Sequence, residues 1–424
     1  MTPRAYLFSL EQIGIKLGLE QIHRLLLALD RPDLAYPSII VAGTNGKGST
    51  SAMIERGLRD AGYRTGLYTS PHLVAIEERV AIDGVSIAPA TFDRLAERVR
   101  DAAAALPHPP SFFEATTALA LEAFRDARVD VAVLEVGLGG RLDATNAVTP
   151  VLSVITSIDL DHQQYLGHSI AGIAAEKAGI LKPGVAAVLG SNSEEVRAVV
   201  TRIAATQGAP LTYAPDGVAA TAAVTHGLTT LSLTTPAGAM APVVLGLRGR
   251  HQIDNAITAT RALEVLDAAG VVSVPLAARR AALERVRWPA RLEMRQWRPA
   301  GTSHDVLVDG AHNPAGAAAL GRYLTEVFGR PLPIIFAAMR DKDIDGLVEA
   351  LAPHACAFIC TAARSPRAAR PDELAGRVGR ITPHLPVLAA GTPAAALAAA
   401  APLGQPIVVA GSLYLAGEIR ELLS

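Results

Sequence analysis

Short apolar runs alternate along the chain with segments of helical periodicity. The runs at 38–42, 130–136, 151–158 and 186–190 are mostly apolar, and 64–69 has a short apolar centre between polar ends; all five read as strands, the pattern of a parallel sheet buried on both faces. Helical patterns lie between most of them, so the first half reads as an α/β unit with helices on both sides of its sheet. The stretch 218–247 breaks this rhythm with polar–apolar alternation and Gly and Pro turns, which predicts a small antiparallel appendage, followed by a helix over 254–269. Five further runs, at 305–309, 333–338, 357–362, 387–390 and 406–410, again alternate with helical segments and predict a second, smaller doubly wound domain. Between the two patterns, 285–301 is basic and carries both tryptophans and two prolines, which marks a boundary. The expected division is 1–286, a linker at 287–298, and 299–424.

Composition narrows the function classes. At roughly 150 residues per domain, a chain of 424 residues suits two or three domains. Lys plus Arg total 39 and Asp plus Glu total 40, so no global charge draws the protein to nucleic acid or anionic lipid. Half of the residues are hydrophobic, yet the longest uncharged stretch, 385–417, is interrupted by Pro386, Pro393, Pro402 and Pro406. It reads as strand, helix, strand rather than as a membrane span. Glu11 falls where a signal peptide keeps its apolar run, and the expectation is a cytoplasmic protein. The two cysteines, Cys356 and Cys360, lie four apart in one apolar run and read as buried thiols on one face of a strand, without a functional role.

The strongest local signal is the passage from an apolar strand through Gly43, Thr44, Asn45, Gly46, Lys47, Gly48 and Ser49 into a helical pattern ending near Gly62. This is phosphate-binding anatomy. Glycines leave backbone N–H groups free to face phosphate oxygens, the helix N-terminus adds partial positive charge, and Lys47 supplies a full one. The loop is contracted relative to GxxxxGK[ST], which would need glycine at Val41 and Ser or Thr at Gly48. Glu135 closes a buried strand, where a magnesium-holding acid belongs beside such a loop; the alternative is a surface acid at a strand end. After the run 151–158 come Asp159, Asp161 and His162, any of which could reach a metal.

Lys177 shares a helical face with Ile170, Ile173 and Ala174. On a buried face its amine loses charge readily, and can act as a nucleophile or take up carbon dioxide as a carbamate. The alternative is a lysine that reaches the surface past small alanines. In the second pattern Asp309 and His312 leave the end of a strand ahead of Pro314, at the edge where open α/β sheets bind ligands. Arg291, in the linker, is either solvated or reaches a nucleotide held between domains.

Taken together these segments resemble the folylpolyglutamate synthase and dihydrofolate synthase family of Mur-type amide ligases. GTNGKGS at 43–49, TSPHL at 69–73, FFEATTA at 112–118, EVGLGGRLDATN at 135–146, DLDH at 159–162, EKAGI at 176–180, HQIDNA at 251–256, WPARLE at 288–293, DGAHNP at 309–314 and GSLYL at 411–415 occur in the family's order. The contracted phosphate loop is the form this family uses. The resemblance implies a Mur-ligase-like α/β architecture, with an N-terminal P-loop ATPase-type parallel-sheet domain and a smaller C-terminal Rossmann-like domain. It implies that the loop from Gly43 to Ser49 holds ATP, that Asn255, Arg291 and Asp309 contact the nucleotide, and that Ser70, Glu135 and His162 place two magnesium ions. It implies a carbamylated Lys177, a catalytic role for Lys47, and His312 beside the reacting phosphate and the incoming glutamate. Phe113 and Asp143 resemble pterin contacts, and Ser412 and Tyr414 resemble glutamate-side contacts.

The implied reaction joins L-glutamate to dihydropteroate or to a reduced folate. The carboxylate attacks the γ-phosphate of ATP, and the neutral amine of glutamate then displaces phosphate from the acyl phosphate. The implied partners are these small molecules, met by a monomer. Domain closure would keep water from the acyl phosphate. One rival is a cell-wall Mur ligase acting on a UDP-linked acid, but only 42 residues precede Gly43, fewer than a typical domain of about 50. The other is a non-catalytic ATP-gated binding protein, disfavoured by the joint presence of Glu135, His162, Lys177 and His312.

Overall fold

The first apolar run forms β1 (Ser38–Ala42), whose five residues are all buried because strands flank it on both sides. With β2 (Thr65–Tyr68), β3 (Val80–Ile82), β4 (Val85–Ser86), β5 (Val131–Glu135), β6 (Leu152–Ile155), β7 (Ala187–Leu189) and β8 (Leu211–Tyr213) it builds an eight-stranded sheet in the order β4-β3-β2-β5-β1-β6-β7-β8. The strands from β2 to β8 in that order run parallel. β3 and β4 add an antiparallel edge that the apolar pattern does not announce, since both are short and β4 is exposed. Ile39 and Val41 face one side of the sheet, Ile40 and Ala42 the other, and all four are fully buried, as strands covered by helices on both faces require.

In this computed structural model residues 1–14 and 16–423 are described. They fall into two compact units: Met1–Thr221 with Ser232–Val243 and Ile253–Val286, and Ala222–Leu231 with Val244–Gln252 and Arg287–Ser424. Three strands follow β8: β9 (Ala219–Thr225), β10 (Leu228–Thr235) and β11 (Gly238–Val244), a sheet ordered β11-β10-β9. Connections this short join antiparallel neighbours, as expected for 218–247.

The second unit's sheet contains β12 (Glu293–Trp297), β13 (His304–Val308), β14 (Leu332–Phe336), β15 (Ala355–Cys360), β16 (Val387–Ala389) and β17 (Ile407–Ala410), ordered β12-β13-β17-β14-β15-β16. All are parallel except β12, which pairs antiparallel with β13. β12 lies inside the stretch read as a linker. Its five residues are all half-buried, and an edge strand in which Glu293, Arg295 and Gln296 interrupt Met294 and Trp297 has no long apolar run to reveal it. Cys356 and Cys360 lie on β15 as free thiols, the first half-buried and the second buried. Among the described residues no helix is long and apolar enough to cross a membrane.

Connection order positions the ligand-binding ends. The chain leaves β1, skips a place to β2, and returns to fill it with β5, while β6 takes the other side of β1. The loops leaving β1, β5 and β6 are therefore neighbours at the carboxyl edge, a topological switch point of the kind that binds ligands in open α/β sheets. In the second unit β17 inserts between β13 and β14, which brings the loops leaving β13 and β17 together by the same logic.

Candidate active site

The loop from β1 reaches the helix Lys47–Asp60 through Gly46, which has a φ of +84°. A Cβ on Gly46 would lie 2.2 Å from the Asn255 Oδ1, so glycine is what lets Asn255, on the helix His251–Ala268, close over the loop. The segment after β6 fixes the other side. The Thr44 N–H donates to the Ser157 carbonyl at 2.7 Å, the Thr44 hydroxyl to the Asp159 carbonyl at 2.9 Å, and the Thr156 hydroxyl to the Asn45 carbonyl at 2.7 Å. Thr156 and Ser157 thus shape the glycine-rich loop. Their signal in the sequence is a hydroxyl pair at a buried strand's end.

Lys47 and Lys177 converge on this loop. The Lys47 Nζ donates to the Gly43 and Thr44 carbonyls, each at 3.1 Å. The Lys177 Nζ donates to the same Gly43 carbonyl at 2.7 Å. Lys177 is only 5% exposed. Burial, followed by the nearby Lys47 ammonium, brings its amine down to about 7. The reading of a lysine that reaches the surface is thereby excluded. Its helix, Ile170–Ala178, can approach because Gly140 has no side chain: a Cβ there would stand 2.8 Å from the Glu176 and Lys177 carbonyls. An Arg141–Glu176 pair at 2.9 Å and the Arg141 N–H on the Glu176 carbonyl at 2.8 Å hold that approach.

Glu135 ends β5 in register with Val41 of β1 and is buried. Its Oε2 accepts the Ser70 N–H at 3.3 Å, which brings the loop after β2 to the same edge. His162 adopts a φ of +52° ahead of the short helix Gln163–Leu166, with its ring 3.8 Å from Asp161 Oδ2. Among the described residues no group of three or more His, Cys, Asp or Glu stands ready to hold a metal. Magnesium needs few protein ligands when phosphates and water supply the rest, so the adjacent Glu135 carboxylate and Ser70 suit an ion that arrives with a nucleotide.

Phe113 opens the helix Phe112–Ala127, where Ser111 and Glu114 form a capping box. Its ring lies 6.1 Å from that of Tyr68 and rests over Gly137. The Asp143 carboxylate is buried and accepts from the Leu138 N–H at 2.8 Å, the Thr145 N–H at 3.0 Å and the Thr145 hydroxyl at 2.6 Å. It shapes the turn that carries Gly137.

In the second unit Asp309 follows β13. Its two oxygens accept the Ala311 N–H at 2.8 Å and the Leu292 N–H at 2.9 Å, and burial pushes its carboxyl up despite Arg291 nearby. Ala290 and Leu292 have φ of +53° and +48°, conformations costly for residues with side chains. They aim Arg291 over Gly310, whose Cβ would meet Arg291 Nη1 at 2.4 Å. His312 Nδ1 lies 2.8 Å from the Gly310 carbonyl. The Gly411 N–H donates to the Ala311 carbonyl at 2.8 Å, and the buried Ser412 caps the helix Leu413–Glu421, which also carries the half-buried Tyr414. Arg291, Asp309, His312 and Ser412 therefore form one cluster at adjoining strand ends.

Comparison with known proteins matches residues 41–263 to the Mur ligase middle domain and residues 290–413 to the Mur ligase glutamate ligase domain. The chain is 38% identical over 382 residues to a Mycobacterium tuberculosis dihydrofolate synthase/folylpolyglutamate synthase, covering 85% of this chain and 77% of that one. It belongs to the folylpolyglutamate synthase/dihydrofolate synthase family. Mycobacterium tuberculosis folylpolyglutamate synthase complexed with ADP and AMPPCP superposes with a TM-score of 0.90 at 35% identity, over 99% of this chain and 98% of that one. Escherichia coli FolC in complex with DHPP and ADP superposes at 0.86 and 29% identity, over 100% and 97%. The chain is an ATP-dependent ligase of the Mur type, and its two α/β sheet units have the architecture of its folylpolyglutamate synthase neighbours.

Proposed function

We propose that this member of the family joins L-glutamate to the carboxylate of a pterin-linked acid, dihydropteroate or a reduced folate, through an acyl phosphate. The observation that carries the reading is the convergence of Lys47 and Lys177 on the Gly43 carbonyl of a glycine-rich loop, in a chain matched by both a Mur ligase middle domain and a glutamate ligase domain. The loop 43–49 and Asn255 bind the triphosphate. Lys47 offsets the charge that grows as the substrate carboxylate attacks the γ-phosphorus and ADP leaves. The amine of glutamate attacks the acyl carbon, orthophosphate departs, and a proton is lost from the new amide nitrogen.

Ser70, Glu135 and His162 would hold two magnesium ions, which supply further charge neutralisation at the phosphates. A buried amine near neutrality suits addition to carbon dioxide, and carbamylated Lys177 would give the site a second carboxylate. Arg291 and Asp309 are assigned to the nucleotide, and His312 to the reacting phosphate and incoming glutamate. Phe113 and Asp143 are assigned to the pterin, and Ser412 and Tyr414 to glutamate. The nucleotide-binding role is assigned to the domain expected at 1–286 and the glutamate-ligating role to that expected at 299–424, to whose sheet β12 is added. The reaction is assigned to a monomer in the cytoplasm, where ATP and glutamate are plentiful.

The test is ADP release with dihydropteroate or tetrahydrofolate, in the presence and absence of glutamate. Full turnover must require both acid and amino acid. Oxygen-18 in the acid's carboxylate must reach orthophosphate, and failure of that transfer overturns the acyl phosphate route.

A further inference from the structure

One buried cation in the first unit is left over from this assignment. Arg79 closes a short 3-10 turn, Ile76–Arg79, and is 7% exposed. Its Nε–H donates to the His72 Nδ1 at 3.0 Å, and its guanidinium carbon lies 5.2 Å from the centre of the Phe112 ring. Among the described residues the guanidinium meets no other hydrogen-bond acceptor and no ion-pairing carboxylate. The acids beside it in sequence are committed elsewhere. Glu77 pairs with Arg4 at 2.6 Å, and Glu78 accepts the Leu73 and Ala75 N–H groups at 2.8 and 3.1 Å.

Taking a guanidinium out of water without a counter-charge is costly, and Arg79 recovers little of that cost from one imidazole and one ring face. Because His72 Nδ1 accepts, the proton of the neutral ring sits on Nε2. The pair therefore presents only donors: the terminal guanidinium N–H groups and the imidazole N–H. A donor-only cluster with a net positive charge selects an anion, and the planar guanidinium fork fits a carboxylate. Its place is informative. His72 follows Ser70 by two residues, on the loop that reaches Glu135, while Phe112 precedes the ring of Phe113. The cluster thus links the phosphate end of the unit to its aromatic end.

We propose that Arg79, supported by His72, is a specificity subsite for the non-reacting α-carboxylate of the substrate's glutamyl residue. Folates carry this group, and dihydropteroate lacks it. The inference rests on the proposed function and adds which acid the site recognises. Arg79 is a binding residue in this reading and takes no part in the chemical step.

The experiment compares kcat/KM for tetrahydrofolate and for its glutamyl α-carboxamide, in wild type, Arg79→Gln and Arg79→Lys. Wild type should prefer the carboxylate by about tenfold or more, Arg79→Gln should lose that preference by falling on tetrahydrofolate alone, and Arg79→Lys should keep part of it. Equal losses on both substrates, or no preference in wild type, overturn the proposal. Where Arg79→Gln does not fold, as judged by thermal melting, Arg79→Lys and His72→Gln decide in its place, each expected to narrow the preference. Absence of wild-type glutamate addition to both tetrahydrofolate and dihydropteroate would instead remove the proposed function, whereas addition to dihydropteroate alone would leave that function standing and overturn the subsite.

Discussion

Lys47 and Lys177 donate to one acceptor, the Gly43 carbonyl, at 3.1 and 2.7 Å. Two ammonium groups on a single oxygen repel one another, and only one of them is buried. The buried amine gives up its charge first, so the loop is met by one ammonium, on Lys47, and one amine near neutrality, on Lys177.

This sets a stability signature for Lys177. Its amine titrates at about 7 when folded, against an ordinary 10.5. Between these values the unfolded chain binds more protons, so stability rises with pH across that window; below about 7 both states are charged and the contribution is flat. Relative to Lys177→Met in carbon-dioxide-free buffer, wild type should gain about 2 kcal/mol between pH 7.5 and 9, at about 1.4 kcal/mol per pH unit. Denaturant unfolding of the two proteins measures it. A constant difference across that range would show that the amine is not depressed.

The same amine should react with carbon dioxide, forming an N–C bond and releasing a proton. With carbon-13 bicarbonate at neutral pH, wild type should show a carbamate resonance that Lys177→Met lacks, and the variant should lose ligase turnover. A silent spectrum in an active wild type would remove the carbamate from the mechanism.

Lys47→Ala and Glu135→Ala address the phosphate end. Loss of charge stabilisation at a developing oxyanion typically costs about 10²–10³ in turnover, so ADP release dependent on both acid and glutamate should fall at least that far in each. Retained turnover in either variant contradicts its role.

The apolar runs identified most of the parallel strands because a strand buried on both faces must be apolar along its length, as Ile39, Ile40 and Val41 are. The glycine-rich turn from β1 into the helix Lys47–Asp60 is legible because glycine spacing and a following lysine are local. What stayed hidden depends on distant partners. Nothing near Gly46 in sequence says that Asn255 lies over it, and nothing in DGAHNP says that Asp309 spends both oxygens on backbone. The linker reading of 287–298 misses β12 because charged and polar residues interrupt Met294 and Trp297 and its partner is known only once β13 is placed. Arg79 carries no motif at all; its interest comes from burial without a counter-ion.

Asp309 offers a structural prediction separable from catalysis. Removing its carboxylate in Asp309→Ala leaves the Leu292 and Ala311 N–H groups without acceptors in a buried setting, at about 1–3 kcal/mol each. The variant should melt several degrees lower, and Asp309→Asn, which keeps one acceptor oxygen, should fall between it and wild type. Unchanged melting in Asp309→Ala would leave nucleotide contact as the residue's sole use.

Gly46 tests how closely Asn255 approaches the loop. An alanine there meets two penalties: a left-handed backbone at φ +84° and a Cβ 2.2 Å from Asn255 Oδ1. The first costs about 1–2 kcal/mol and the second about 1–3. The second alone disappears when Asn255 is shortened. A cycle of Gly46→Ala, Asn255→Ala and the double variant, read by unfolding free energy without nucleotide, should therefore show coupling of about 1 kcal/mol or more in the direction of relief. Additive losses would mean that the helix His251–Ala268 yields at this point, so that Asn255 closes over the loop only loosely and its reach to a bound nucleotide is not fixed by packing.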